Sequence, residues 1–371
     1  MVATLRANSS VPYCVIPDIV DHCNQIVSTT VSAFKAANVS SREAAGLDTE
    51  VIKTVEMSLN TQASSFEQPV NFLATRHKQD KHFDSHPLAV KPESIVLGHR
   101  IDTHSGHSRL VYETFQYISV EATLRSLLQS KAYVEAILSD KAAPGVVKNW
   151  HDGIHFGNHS MFADKSKLVI MLELFYDGMG TTNPLHGQSV TYNIGVFYFT
   201  VKNLPNVYNS CFANVHLLAL CNTNELKMYG FDPVLRKFVD ELLYLGHFGF
   251  SGDFPIIGSM QIYVCLGNVT CDNLALNGIL GFIESFSGDY FCTLCYAKKS
   301  DIQSKFYVSE FPRRTVSSYS DDVKHSLNSP QERGHIRGIK HVCLLNELPG
   351  DHVTTNYSLD IMHVICTYNS C

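Results

Sequence analysis

The stretch Leu168-Val-Ile-Met-Leu-Glu-Leu-Phe-Tyr-Asp177 is almost continuously apolar and closes on a carboxylate. A run too apolar to alternate predicts a central strand covered on both faces. Gly178 and then Asn183-Pro184 are expected to end it. Downstream, residues 190–201 are rich in β-branched and aromatic side chains and predict a second strand. Asn203-Leu-Pro205 turns the chain, and 215–220 reads as a third, short strand. Asp232-Pro233 supplies a cap and a first-turn proline for a helix over 234–244, ended by Gly246. Residues 261–266 predict a fourth strand, and Asp272-Asn273 caps a helix over 274–284.

Asp272 thus closes the last of these runs, ninety-five residues after Asp177. Two carboxylates delivered to strand ends suit a site that holds divalent metal against phosphate. Two-metal phosphodiester chemistry wants such ligands on rigid elements, holding ions about 3.5–4 Å apart. Magnesium keeps several waters and needs few carboxylates. The plainer reading is that Asp177 begins a turn and Asp272 is an N-cap, both common work for aspartate. Glu173, four residues before Asp177, shares a strand face with it. The order strand, strand, strand, helix, strand is the skeleton of an RNase H-like nuclease core.

Composition bounds the partners. At 371 residues the chain has room for two or three domains, and 45% apolar with 17% charged residues is a globular balance. The formal net charge of −6 supplies no bulk positive field toward nucleic acid, so any such contact needs a local patch. The first ten residues carry no apolar signal-peptide core, and no apolar run approaches the roughly 18 residues of a membrane span. Eleven cysteines, an odd number, read as reduced intracellular thiols, some on metal. Cytosol or nucleus is the expected compartment.

Four regions are expected: 1–85, mostly helical with a linker; 86–165, an accessory α+β segment; 166–290, the mixed-sheet core; and 291–371, a CxxC-containing insertion. Ile16-Pro-Asp18 starts a first helix, and a second covers 43–59. The polar stretch 76–92, with His77, His82 and His86, reads as linker. Short strand-like patterns fill 93–114, and 120–140 forms one amphipathic helix burying Leu124, Leu127, Leu128, Tyr133, Ala136 and Ile137.

Cys292-Thr-Leu-Cys295 is the tight CxxC of the chain and precedes Lys298, Lys299, Lys305, Arg313 and Arg314. Zinc needs two further ligands; His325, His335, His341, His352 and His363 are the downstream candidates, and buried thiols are the alternative. The basic run reads as a phosphate contact or as a solvated face. Asp360 and His363, three apart, share one side if helical and suit joint metal binding. Nucleophilic alternatives lack support: there is no Gly-x-Ser-x-Gly elbow, Walker A loop or Gly-x-Gly-x-x-Gly.

Taken together, Leu172-Glu-Leu-Phe-Tyr-Asp177, Asn183-Pro-Leu185, Val196-Phe-Tyr-Phe-Thr-Val-Lys-Asn-Leu-Pro205, Tyr229-Gly-Phe-Asp232, Asp272-Asn-Leu274, Gly281-Phe-Ile-Glu-Ser-Phe286, Cys292-Thr-Leu-Cys295 and Asp360-Ile-Met-His363 resemble the transposases of CACTA-like (CMC-group) DNA transposons. The resemblance covers roughly 86 to 366. It implies a nuclear protein with an RNase H-like domain of DDE/D type that cuts and joins transposon ends, using Mg²⁺ or Mn²⁺, as a homo-oligomer on DNA. Asp177 and Asp272 would match the first two acids, Cys292 and Cys295 the family CxxC, a Zn²⁺ candidate, and Asp360 with His363 its DxxH motif. The third acid has no match: Glu284 and Glu310 are the nearby glutamates, and neither sits at the family position. An inactive, decayed fragment is therefore expected, with a non-enzymatic DNA- or protein-binding module as the alternative.

Overall fold

The computed structural model describes residues 15–46, 48–63, 73–103, 108–139, 150–153, 156–157, 159–180, 193–208, 211–285, 288–328 and 337–359. The chain divides into two compact units, 1–91 and 92–371. Among the described residues there are nine α-helices and one mixed eight-stranded sheet, so the protein is of mixed α/β class.

In the first unit, α1 (Val15–Ala44) and α2 (Thr49–Ala63) lie against each other, and Val20 and Ile52 are buried. The stretch expected to be a linker instead contains α3 (Arg76–Asp84). Thr75 caps it by accepting from the Lys78 N–H at 3.3 Å, and buried Gln79 anchors it by donating to the Leu73 carbonyl at 2.8 Å. A helix with almost no apolar residues gives no periodic signal, which is why composition alone reads it as linker.

The second unit opens with the hairpin β1 (Glu93–Asp102) and β2 (Arg109–Tyr117), followed by α4 (Val120–Leu127) and α5 (Lys131–Ser139). The single helix expected over 120–140 is thus broken at 128–130. The sheet continues with β3 (Leu168–Gly180), β4 (Asn193–Val201) and β5 (His216–Asn222). Helices α6 (Thr223–Tyr229) and α7 (Asp232–His247) lead to β6 (Phe250–Phe254) and β7 (Gly258–Cys271). After these come α8 (Asn273–Ile279), α9 (Val316–Asn328) and the two-residue β8 (Ser358–Leu359). Strand order is β1-β2-β5-β4-β3-β7-β6, with β8 also on β7; β3·β7 and β7·β8 are parallel and the rest antiparallel.

β3 is central and covered on both faces along its first half. Ile170, Leu172 and Leu174 join the main core with Val234, Leu235, Phe238, Val239, Leu242 and Leu245 of α7, a spacing of three and four that defines one helix face. Each such side chain stabilises by about 1.5–3 kcal/mol before chain entropy is charged. On the other face Val169 and Met171 pack with Cys265 under Trp150, Met161 and Phe162. Asn203 extends the ladder past β4, accepting from the Met171 N–H at 2.7 Å and donating to the Val169 carbonyl at 2.9 Å.

A bulge in β7 decides which residues face the later site. Leu172 lies opposite Leu266, but the next residue, Glu173, lies opposite Asn268, so Gly267 is skipped. Before the bulge Ile262, Val264 and Leu266 face the main core; after it Val269 and Cys271 do. One extra residue therefore turns Asn268, Thr270 and the position after Cys271 to the opposite face. A Cβ at Gly267 would collide with the Met171 side chain, so this crossing accommodates glycine.

Candidate functional site

The parallel pairing of β3 and β7 sets Tyr176 opposite Cys271, so Asp177 and Asp272 occupy the next row at the C-terminal ends of neighbouring parallel strands. Neighbouring strands lie about 4.8 Å apart, close enough for two carboxylates to share a cation. The C-terminal ends of parallel strands are also where open α/β sheets place their ligands. Asp177 does not begin a turn: β3 runs on through Gly178 to Gly180, and Asp177 pairs with Val196 of β4. It is exposed, on the face of Glu173 and Phe175. Asp272 is an N-cap, its Oδ1 accepting from the Ala275 N–H at 2.8 Å, and among the described residues its Oδ2 carries no hydrogen bond. One carboxylate oxygen therefore fixes the helix and the other is open to a ligand.

The Tyr176 phenol registers both acids. Burial, then the charge of Asp272, and further Cys221 and Asp177, push it up to about 12. Tyr198 is raised as well, by burial and then by Asp177. Its ring stacks on Phe175 with centroids 5.0 Å apart and planes 2° from parallel, which floors the open face beside Asp177.

Below the acid row the strands are cross-linked by polar side chains. Glu173 Oε1 accepts from Asn268 Nδ2 at 2.8 Å and from Thr270 Oγ1 at 2.9 Å, and its Oε2 meets Lys202 Nζ at 2.9 Å. Asn268 Nδ2 also donates to Ser358 Oγ of β8 at 2.6 Å. Glu173, at 12% side-chain exposure, thus ties β3 to β7, and Asn268 carries the link on to β8. Sequence reading places Glu173 on the Asp177 face but misses its partners. The signal was Gly267, a lone glycine inside a strand-like run, which marks a bulge and extends the strand to Cys271.

β8 brings the chain back to this site. Ser358 pairs with Thr270 and Leu359 with Cys271, so three parallel strands align Tyr176, Cys271 and Leu359 in one row. Asp360 follows Leu359 in sequence. Asp360 and His363 lie outside the described residues. The two nearby glutamates, neither of which was expected at the third position, have partners of their own: Glu284 pairs with Lys340 at 2.8 Å, and Glu310 accepts from the Phe306 and Tyr307 N–H groups at 2.9 and 2.8 Å.

The second candidate, the thiol pair, sits elsewhere in the fold. Cys292 and Cys295 Sγ atoms are 3.5 Å apart, near the roughly 3.8 Å of two thiolates on one tetrahedral zinc. A hydrogen bond from Cys295 lowers the Cys292 thiol against the effect of burial, helped by the Leu294 and Cys295 N–H groups and by Arg314; Cys295 is raised in turn. Arg314, fully buried, lies between the rings of Phe282 and Tyr296 at 5.0 and 4.5 Å. It donates to the Cys292 and Arg337 carbonyls at 3.1 and 2.6 Å. Among the described residues no group of three or more His, Cys, Asp or Glu is placed to hold one ion. His341 instead pairs with Asp232 at 3.4 Å, and His352 bonds Thr354 at 2.8 Å. His335 lies outside the described residues. The pair alone supplies half of a zinc site.

No protein-family model matches the chain, and no curated protein matches it. Among the described residues no helix is long and apolar enough to cross a membrane.

Proposed function

We propose that the 92–371 unit carries a metal-dependent DNA strand-cleaving and strand-joining core of DDE/D type, similar to the transposases of CACTA-like elements. The observation that carries this reading is the row Tyr176–Cys271–Leu359, each of whose members is followed in sequence by an aspartate. In this reading Asp177, Asp272 and Asp360 are the three carboxylates, which departs from the resemblance in giving Asp360 the third place. The RNase H-like core is the set β5-β4-β3-β7-β8, in which β4 alone runs against the others. The chain then need not lack its third acid, and the expectation of an inactive fragment is not part of this proposal.

Hard carboxylate oxygens suit Mg²⁺ or Mn²⁺ rather than zinc. When bound, such ions activate the attacking oxygen and stabilise the leaving one. The chain's own contribution is rigidity: Asp177 is fixed by its pairing with Val196 of β4, one residue past the last β3–β7 pair, Asp272 by its helix cap, and β3 to β7 by Glu173. The open face beside Asp177 admits a phosphate backbone, and Lys202 neutralises Glu173 beneath it.

The test is Mn²⁺ binding by the full chain, read by electron paramagnetic resonance, for the native protein and for Asp177→Asn, Asp272→Asn and Asp360→Asn, alongside nicking of a DNA duplex in Mn²⁺. The expected result is at least tenfold weaker binding in each variant, about 1.4 kcal/mol, with nicking lost. Native protein that binds no Mn²⁺, or variants that bind it unchanged, would overturn the assignment.

A further inference from the structure

Residues 296–312 form a surface excursion whose base is closed. Cys295 and Arg313 pair across it as an antiparallel bridge, the Tyr296 N–H donates to the Pro312 carbonyl at 3.0 Å, and the Arg314 N–H donates to the Leu294 carbonyl at 2.9 Å. The loop is held by its own bonds. The Asp301 N–H donates to the Lys298 carbonyl at 2.9 Å, Asp301 pairs with Lys305 at 3.1 Å, and Glu310 accepts from the Phe306 and Tyr307 N–H groups. Compact surface loops with adjacent ends are frequently functional.

Order in the backbone contrasts with the side chains it presents. Phe306, Tyr307 and Val308 are 79%, 73% and 73% exposed, three consecutive apolar side chains turned to solvent. Charge is sorted in the same way. The carboxylates of Asp301 and Glu310 are engaged inside the loop, whereas exposed Lys298, Lys299 and Arg313 form no ion pair among the described residues. A chain of net charge −6 therefore displays, on this loop and at its base, exposed cations without carboxylate partners, Lys298 lying over the Tyr290 ring at 5.6 Å, together with exposed aromatic rings at Phe306 and Tyr307. Rings that stack and cations that meet phosphate are the two elements of single-strand recognition, since every base has a π-face but only an unpaired base exposes it.

We propose that the 296–312 loop docks single-stranded nucleic acid, with phosphates against Lys298, Lys299 and Arg313 and bases stacked on Phe306 and Tyr307. This goes beyond the carboxylate reading and requires no metal. The experiment is fluorescence anisotropy of the full chain in EDTA with a labelled mixed-sequence 16-nucleotide single strand and its duplex, from 50 to 200 mM KCl. The strand should bind more tightly than the duplex, with a log–log salt slope near −2, about 0.7 for each of three phosphates. Phe306→Ala with Tyr307→Ala should weaken binding about 30-fold or more and leave the slope, while Lys298→Ala, Lys299→Ala and Arg313→Ala together should flatten it. Leucine at 306 and 307 keeps apolar volume but removes the π-faces, so it should match alanine. Absence of salt-dependent binding would overturn the proposal, as would indifference to the ring variants. So would ring variants that change only self-association, which would make the loop an interface between copies. Because EDTA removes metal, neither result bears on Asp177 and Asp272, and loss of Mn²⁺ binding would not touch this loop.

Discussion

Replacing Asp351 with asparagine should flatten the protein's stability against pH. Asp351 is buried, 7% exposed as a residue. Its Oδ1 accepts from Asn356 Nδ2 at 2.7 Å, and its Oδ2 is buried without a hydrogen bond among the described residues. The groups around it are Cys265 of β7, His159 against Gly350, and His352 next in the chain. None supplies a fixed cation, and burial pushes the carboxyl from its ordinary value near 3.8 up to about 8. The folded state then holds a proton that the unfolded state has released, so stability is full below about pH 4 and falls as pH rises toward 8. The slope is about 1.4 kcal/mol per pH unit, or roughly 4 kcal/mol between pH 5 and 8, an upper figure because water entry relieves a buried charge. Asn keeps the acceptor for Asn356 and cannot ionise. Urea unfolding of both proteins at pH 5, 6, 7 and 8 is the assay, with the variant gaining on the native protein at each step. A native-minus-variant difference that is constant across that range refutes the reasoning.

Glu241 on α7 accepts from Tyr117 Oη at 2.5 Å, Ser119 Oγ at 2.6 Å, and the Val120 and Glu121 N–H groups at 3.2 and 3.0 Å, so it caps α4 from another element. Glu241→Ala strands four donors and should cost about 3–5 kcal/mol in urea unfolding, with Glu241→Gln retaining part of that; a loss under about 1 kcal/mol in the alanine variant counts against the cap. In chelator-treated protein, iodoacetamide should modify Cys292 with a midpoint near pH 6, well below an ordinary thiol, and Cys295→Ala, which removes the donor, should move that midpoint upward. Equal midpoints of 8–9 for both thiols would show that the hydrogen bond between them does not form.

What the sequence made legible was whatever repeats. β3 is a long apolar run and α7 a three–four stripe behind Asp232-Pro233, and both stand close to their expected limits because burial on known faces dictates their pattern. The break between α4 and α5 escaped because apolar spacing continues across it: Leu124 precedes the break, Leu128 opens it, and Val134 and Ile137 follow it, all buried together. Asp177 and Asp272 were legible as strand-end acids, but their shared face was not. That depends on the Gly267 bulge, and a register is a property of two strands rather than one. β8 was illegible for a stronger reason. Two residues, Ser358 and Leu359, carry no period at all.

Such a strand cannot hold its own place, and that ties the acid row to Asp351. β8 touches β7 over two residue pairs and one side-chain bond, Asn268 to Ser358. Its position comes instead from the preceding segment, where Leu344, Leu345, Leu348 and Val353 are buried, Asn346 accepts from the Val353 N–H at 2.7 Å, and Asn356 bonds Asp351. Ionising Asp351 places an unpaired charge in that segment and favours states in which it leaves the sheet, carrying β8 with it. If Asp360 completes the carboxylate row, Mn²⁺ affinity should fall as pH passes about 8 in the native protein and hold steady in Asp351→Asn. The usual trend runs the other way, because a carboxylate site does not lose charge on going alkaline, so an alkaline decline abolished by one distant substitution has few other sources. Isothermal titration at pH 6.5, 7.5 and 8.5 reads it directly. Parallel curves for the two proteins would mean that β8 stays on β7 regardless of Asp351, or that the third ligand does not come from the chain that follows it.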